Sequence, residues 1–482
     1  MILRPSSSSP KNKRPFTKKL LYAAAFCFVV IWLFSSQIMV STDSATSWLS
    51  HLPIIKQLRN LAESADKKLK GEERGQINIL LLGMGGKKHE GSYLTDTIIL
   101  ARINLEEQKI ALISIPRDLS VPMEDLGWRK INNINALAEA QQPGSGGVAV
   151  SQAVSDLLSI PIDYYLRIDF EGFINIINLL GGLDVYVENT LNDYKYPIMG
   201  KETAEPYEAR FEHLHIEKGW QKMDGNLALK YARSRHALGI EGSDFARARR
   251  QQKIILAAKK KLLSWGTLLN PKKIANILQE INNHFDTNLE IWEMVKLWNL
   301  TKDIPSDHII TKVLDNSPNG LLIDKISEEG AYILVPRSGD FSEVQYFVRN
   351  IFTDVPQNKK SGIIAEAPTL EIRNGTWING LASKTALDLE KYGFQVVRVG
   401  NSSRQNFQKT VIYDLNYGAK PHSLKALKNI LNANVSYGLP QWLIEDLEKE
   451  MKGQEGVIQP DFIIILGQEA DTSASGIKNQ SQ

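Results

Sequence analysis

An apolar run without a charge, Leu20–Val40 (LLYAAAFCFVVIWLFSSQIMV), most constrains how this 482-residue chain can fold. At a rise of 1.5 Å per residue a helix of that length spans about 30 Å, the hydrocarbon core of a bilayer. Arg4, Lys11, Lys13, Arg14, Lys18 and Lys19 precede it with no acid among them. The positive-inside rule then predicts a cytoplasmic basic tail (1–19), one transmembrane helix (20–40) and an extracytoplasmic remainder. A cleaved signal peptide is the rival reading, but the apolar stretch is too long for one and no A-x-A-like site follows Val40. Cys27, the only cysteine, lies in the span, so disulfides and thiol chemistry are excluded beyond it. Six of the 57 Lys and Arg stand before the span, which leaves 51 against 54 acids. That balance argues against nucleic acid as a partner.

Trp48, Leu49, Leu52, Ile55, Leu58, Leu61 and Ala62 recur at helical steps. They predict an amphipathic helix, followed by a charged linker, over 41–75. The apolar run INILLLG from Ile77 reads as a buried strand. The Gly83–Lys87 loop after it lacks the spacing and the Ser/Thr of a P-loop. Two strands, 95–104 and 109–118, then form a hairpin. With a turn centred near Glu107, facing residues sum to about 214, which sets Asp96 beside Asp118 with Arg117 adjacent. A one-residue slip would turn one carboxylate to the other face. Two readings stay open: a carboxylate pair holding a cation such as Mg²⁺, or ordinary strand-end acids capping turns.

Helices after Trp128–Asn132 and over Val148–Leu158 come next. Strand IDYYLRIDF, helix EGFINIINLLGG and strand LDVYVE continue the alternation. This pattern predicts an α/β fold, a three-layer α/β/α domain. Residues 192–212 read as a long loop, and His213 and His215 lack a third ligand at zinc spacing. The stretch Lys230–Gln251 concentrates Arg233, Arg235, Arg247, Arg249 and Arg250. Such guanidinium forks suit a multiply charged anion, or else form a solvated basic face. Ser243 or Asp244 caps a helix to Leu263 on which Arg247, Arg250 and Gln251 share one face, while Arg249 points to solvent.

These stretches resemble the LytR-CpsA-Psr family: NILLLG (78–83), TDTIIL (95–100), ISIPRD (113–118), KIN (130–132), DFEGFINIINLLGGLDV (169–185), DGNLALKYARSR and SDFARARRQQ (224–252). The resemblance runs from about residue 76 to 264. It implies a membrane-anchored phosphotransferase outside the cell. Such proteins move glycopolymers of teichoic acid or capsular type from polyprenyl-pyrophosphate carriers to peptidoglycan, with Mg²⁺ as cofactor. By motif position it implies metal ligands Asp96 and Asp118. Arg117, Lys130, Arg233, Arg235, Arg247 and Gln251 match pyrophosphate-binding positions, and Asp118, Arg117, Arg233 and Asp244 catalytic ones. The family commonly has an arginine where this chain has Leu94. A non-catalytic binder of polyprenyl phosphates or wall polymer would keep the arginines without needing both aspartates. A serine hydrolase is disfavoured, since no nucleophile elbow is present.

Residues 265–350 continue this domain or form a helical accessory, so that the catalytic domain covers 76–350. A linker (351–367) follows, then TLEIRNG, GLASKTALDLEKYG, FQVVRV, TVIYD, SLKALKNIL and DFIIILG. They predict a small α/β domain (368–469), similar to the C-terminal domain of LytR-type proteins, and a disordered tail (470–482). Asn374-Gly375-Thr376 reads as a turn and helix start rather than an anion site.

Overall fold

The computed structural model describes residues 67–86, 91–123, 127–201, 203–262, 277, 284–317, 320–353, 355, 357–451 and 458–470. The predicted transmembrane span, the Trp48–Ala62 helix and all but the first residue of the C-terminal tail lie outside them. Among the described residues no helix is long and apolar enough to cross a membrane.

The chain opens with β1 (Gln76–Met84), β2 (Thr95–Asn104) and β3 (Lys109–Ser114), then a small hairpin, β4 (Ser120–Met123) and β5 (Gly127–Lys130). Helices α1 (Asn133–Gln141) and α2 (Gly146–Leu158), strand β6 (Tyr164–Asp169) and helix α3 (Phe170–Leu180) follow. Four further strands are β7 (Leu183–Val187), β8 (Leu191–Pro197), β9 (Phe211–Ile216) and β10 (Gly219–Met223). They lead to α4 (Gly225–Arg233) and α5 (Asp244–Leu262). Then come β11 (Phe285–Thr287), α6 (Ile291–Thr301), β12 (Ile309–Val313), β13 (Leu322–Ile326), β14 (Tyr332–Pro336) and α7 (Ser342–Arg349). The central sheet has the order β11-β6-β1-β2-β3-β12.

Strand alternation sends successive side chains to opposite faces, and both faces are apolar. Leu80, Leu82, Ile98, Leu100 and Ile113 pack with Ile134 of α1, Val150 and Val154 of α2, and Val344 and Val348 of α7. Ile77, Ile99, Ala101, Ile103 and Leu112 pack on the other side with Ile255 and Leu256 of α5 and Leu297 of α6. Helices therefore cover the sheet on both sides, the α/β layering expected of this segment.

The hairpin register differs from the expected one by one residue. Ile99 faces Ser114 and Asn104 faces Lys109, so partners sum to 213 rather than 214. The cause is a four-residue connection. Asn104 Oδ1 accepts from the N–H groups of Glu106 and Glu107, and Gln108 takes φ 50°. β3 also stops at Ser114, because Pro116 has no N–H to continue the ladder. Asp118 thus lies in a turn, not on a strand opposite Asp96. Residues 192–212, expected as a loop, hold β8 and the start of β9, anchored by buried Tyr196 and Asp193. β12 extends the sheet beside β3, so 265–350 contributes strands as well as helices.

The 351–367 linker segment carries α8 (Gln357–Glu366), whose Ile363 packs into a second core. That core belongs to β15 (Thr369–Asn374), α9 (Leu381–Lys391), β16 (Gln395–Asn401), β17 (Val411–Asp414), α10 (Pro421–Leu431), β18 (Asn434–Ser436), α11 (Gln441–Met451) and β19 (Phe462–Leu466). The sheet order is β16-β15-β19-β17-β18; β18 and α11 were not expected from the sequence. Asn374 closes the turn after β15, its Oδ1 accepting from Thr376 N at 3.0 Å. Tyr346 of α7 donates to Asp388 of α9 at 2.7 Å, joining the two cores.

The Asp224-Gly225 start of α4 has a packing reason. Asp224 Oδ1 caps Leu227 N at 2.8 Å, and a Cβ on Gly225 would lie 2.3 Å from Ile174 O. Gly225→Val is expected to push α4 off α3 and lower stability by about 1–3 kcal/mol, read from denaturant unfolding. An unchanged midpoint would show that this close approach carries no weight.

Candidate functional site

β1 and β6 run parallel, and their carboxyl ends pair at Met84 and Asp169. Met84 also pairs with Thr95, so Asp96 stands at this same edge of the sheet, where open α/β sheets bind ligands. The turn after β3 delivers Arg117 and Asp118 there, and the first turn of α5 delivers Asp244 and Arg247.

Arg117 is at the centre. Its Nη1 is 2.9 Å from Asp96 Oδ1, and its Nε lies 3.4 Å from Asp118 Oδ2 and 3.9 Å from Asp244 Oδ2. Burial draws its pKa down, but Asp96, Asp244 and Asp118 together hold it above the ordinary arginine value. Lys130 Nζ contacts Asp118 Oδ1 at 2.6 Å, and Arg247 Nη1 contacts Asp244 Oδ1 at 2.9 Å. Burial lowers the pKa of Arg247; Asp244 opposes this, while Arg117 and Arg235 add to it. Ser243, not Asp244, caps α5, its Oγ accepting from Ala246 N at 3.0 Å. The Asp244 carboxylate is thereby left to face the arginines. Gln251 Nε2 donates to Thr97 Oγ1 at 2.8 Å.

Asp96, Thr97, Arg117, Asp118, Asp244, Arg247 and Gln251 line a cavity of about 260 Å³ whose wall also holds the apolar Ile98, Ile115, Phe245, Val313 and Leu334; Lys130 reaches it through Asp118. Arg117 Nε is buried and donates no hydrogen bond, so donor capacity remains inside. Asp96, Arg117, Asp118, Lys130, Asp244, Arg247 and Gln251 are thus brought together as their motifs suggested. Arg233 contacts other groups: its guanidinium lies 4.4 Å from the Phe170 ring and donates to Tyr196 Oη at 3.4 Å. Neither Arg233 nor Arg235 forms an ion pair with a carboxylate among the described residues. Leu94 is half-buried and supplies no cation at the position where the family commonly has an arginine.

Arg250 corrects the shared-face expectation. It is 1 % exposed and bonds Tyr231 O, Ser234 O, and the backbone and carboxylate of Glu241. It ties the end of α4 and the following loop to α5 instead of lining the cavity. Arg249 is exposed, as expected. Two residues were missed. Asp193, 0 % exposed, accepts from Ser234 Oγ at 2.8 Å and His236 N at 3.3 Å, bracing the loop that carries Arg235. Tyr332 of β14 lines the cavity, its pKa raised by burial and by Asp324, Asp118 and Asp244. The sequence has no signal for either, since a single Asp in a polar segment and a single Tyr opening an apolar strand are unremarked.

Asp96 and Asp118 are hard oxygen donors of the type Mg²⁺ takes, and the Arg117 guanidinium stands between them. Among the described residues no cluster of three or more His, Cys, Asp or Glu is placed to hold a metal by itself.

Residues 51–349 match the LytR_cpsA_psr family model, and this chain belongs to that family. Residues 367–468 match the model described as LytR cell envelope-related transcriptional attenuator. The cell wall biosynthesis protein LcpA of Corynebacterium glutamicum is 23% identical over 74% of this chain and 68% of its own length. The polyisoprenyl-teichoic acid–peptidoglycan teichoic acid transferase TagT of Bacillus subtilis is 25% identical over 55% of this chain and 78% of its own. The crystal structure of B. subtilis TagV aligns with a TM-score of 0.43 at 25% identity, covering 58% of this chain and 98% of TagV.

Arg250→Ala would strand buried carbonyls and the Glu241 carboxylate. It is expected to cost about 3–5 kcal/mol of stability, whereas Arg249→Ala changes it by about 0.5 kcal/mol or less. Paired thermal and denaturant melts test this; equal midpoints for the two variants would refute it.

Proposed function

We propose that this chain is a membrane-anchored extracytoplasmic transferase. It moves a glycopolymer of teichoic acid or capsular type from a polyprenyl-pyrophosphate carrier to a peptidoglycan hydroxyl. The observation that carries this reading is a cavity with one charged end, centred on Arg117, and one apolar wall. A polyprenyl pyrophosphate has the same division. The relatives named as teichoic acid transferases support the reaction class, and the Leu20–Val40 run supports the anchor.

In the reaction the acceptor hydroxyl oxygen forms a bond to the sugar-bearing phosphorus. The pyrophosphate P–O bond breaks, and polyprenyl phosphate leaves with the bonding electrons. Such a transfer depends on position and charge neutralisation more than on covalent help. Arg117, Arg247 and Lys130 surround the phosphates. Arg233 and Arg235, which form no ion pair with a carboxylate among the described residues, add further positive charge. Asp244, held by Arg247 through Oδ1 at 2.9 Å with Oδ2 3.9 Å from Arg117 Nε, is the carboxylate that takes the hydroxyl proton. Gln251 bonds Thr97 beside Asp96 and orients the carboxyl edge of the sheet. Asp96 and Asp118 would hold Mg²⁺, which supplies further neutralisation of phosphate charge when bound.

Full-length protein is assayed for transfer from a polyprenyl-pyrophosphate oligosaccharide to peptidoglycan. Arg117→Ala and Asp118→Ala are each expected to lower turnover by about 100-fold or more, with the circular dichroism spectrum kept. Full turnover in both variants would overturn the site assignment. Wild-type protein that binds the lipid and never transfers would instead be a non-catalytic carrier.

A further inference from the structure

Side chains two apart on a strand share a face. Across the β4–β5 hairpin Ser120 pairs with Lys130 and Pro122 with Trp128, so Lys130 and Trp128 project from the same face. Lys130 identifies that face as the one turned to the site, since its Nζ is 2.6 Å from Asp118 Oδ1. The opposite face holds Leu119, Val121 and Ile131, all buried in the core. The hairpin therefore has its apolar anchor without Trp128, which is 57 % exposed. Among the described residues its indole makes no ring contact, cation–π contact or hydrogen bond; only its backbone carbonyl accepts, from Arg129 at 3.1 Å. Neighbours on one strand face are about 7 Å apart, so the indole begins one step from Lys130 on the same face.

We infer that Trp128 is a stacking platform for a pyranose ring adjacent to the phosphate held at Arg117 and Asp118. This rests on the transferase reading above. Trp128 is the next residue after Lys130 on the face that Lys130 turns to Asp118, so a group that covers it is within reach of being bonded to that phosphate. In this chemistry that group is a sugar. A pyranose presents an apolar C–H face that matches the indole, and its hydroxyls stay in water at the rim. The ring comes from the lipid-linked donor or from the acceptor glycan, and both share this face.

The test uses full-length protein in detergent with Trp128→Ala and Trp128→Phe. The probes are polyprenyl pyrophosphate without sugar, the same lipid bearing one N-acetylhexosamine, and a peptidoglycan disaccharide oligomer. Trp128→Ala is expected to weaken one of the two sugar-bearing probes by about 5- to 10-fold, with the bare lipid unchanged and Trp128→Phe retaining most of the affinity. Loss with the lipid-linked sugar assigns the ring to the donor; loss with the oligomer assigns it to the acceptor. Equal loss for bare and sugar-bearing lipid, no loss on any probe, or a loss confined to partition onto anionic vesicles would each overturn the platform. Because binding is read without turnover, a wild-type protein that fails to transfer would sink the transferase reading and leave this contrast intact.

Discussion

Three carboxylates around one guanidinium organise this protein. Asp96, Asp118 and Asp244 all lie within 4 Å of Arg117, and they come from the start of β2, the turn after β3 and the first turn of α5. Like charges at such spacing stay ionised only with cations between them. Lys130 and Arg247 complete a local balance of three against three.

The charged cluster is held by contacts outside it. Arg250 and Glu241 fasten the loop between α4 and α5 from one side, and Asp193 fastens it through Ser234 and His236 from the other. Gln252, next to Gln251, donates to Ser114 Oγ, Leu112 O and Lys312 O, which locks α5 onto β3 and β12. Charged groups fixed before substrate arrives need little reorganisation, the condition under which electrostatic stabilisation is strongest. The second domain docks through α7 and α9, where Glu343 is buried against Gly380 and its pKa is raised by that burial.

Much of the site was legible because its residues sit in short motifs with local logic. TDTIIL and ISIPRD carry Asp96, Arg117 and Asp118 on adjacent elements, and SDFARARRQQ sets Arg247 and Gln251 one helical turn apart. What was not legible depends on contacts distant in sequence. The register of β2 and β3 turned on whether Asn104 closed a four-residue turn. Arg250 and Arg247 look equivalent in a helical pattern, yet the carbonyl ends of α4 claim the first and Asp244 the second. Tyr332 enters the cavity only because β14 runs beside the turn holding Asp118, with Leu334 N bonded to Asp118 O.

The sequence by itself determined many of the element types, the charge balance and the family, since apolar periodicity, caps and motif spacing are local properties of a chain. Tertiary structure alone decided which cation answers which carboxylate. Asp118 faces Asp96 through a guanidinium and not across a strand pair, because Pro116 ends the ladder and the turn folds Arg117 back between them. It also decided that Trp128 stays outside the core: Leu119, Val121 and Ile131 already fill the buried face of that hairpin, and strand alternation leaves the indole on the other.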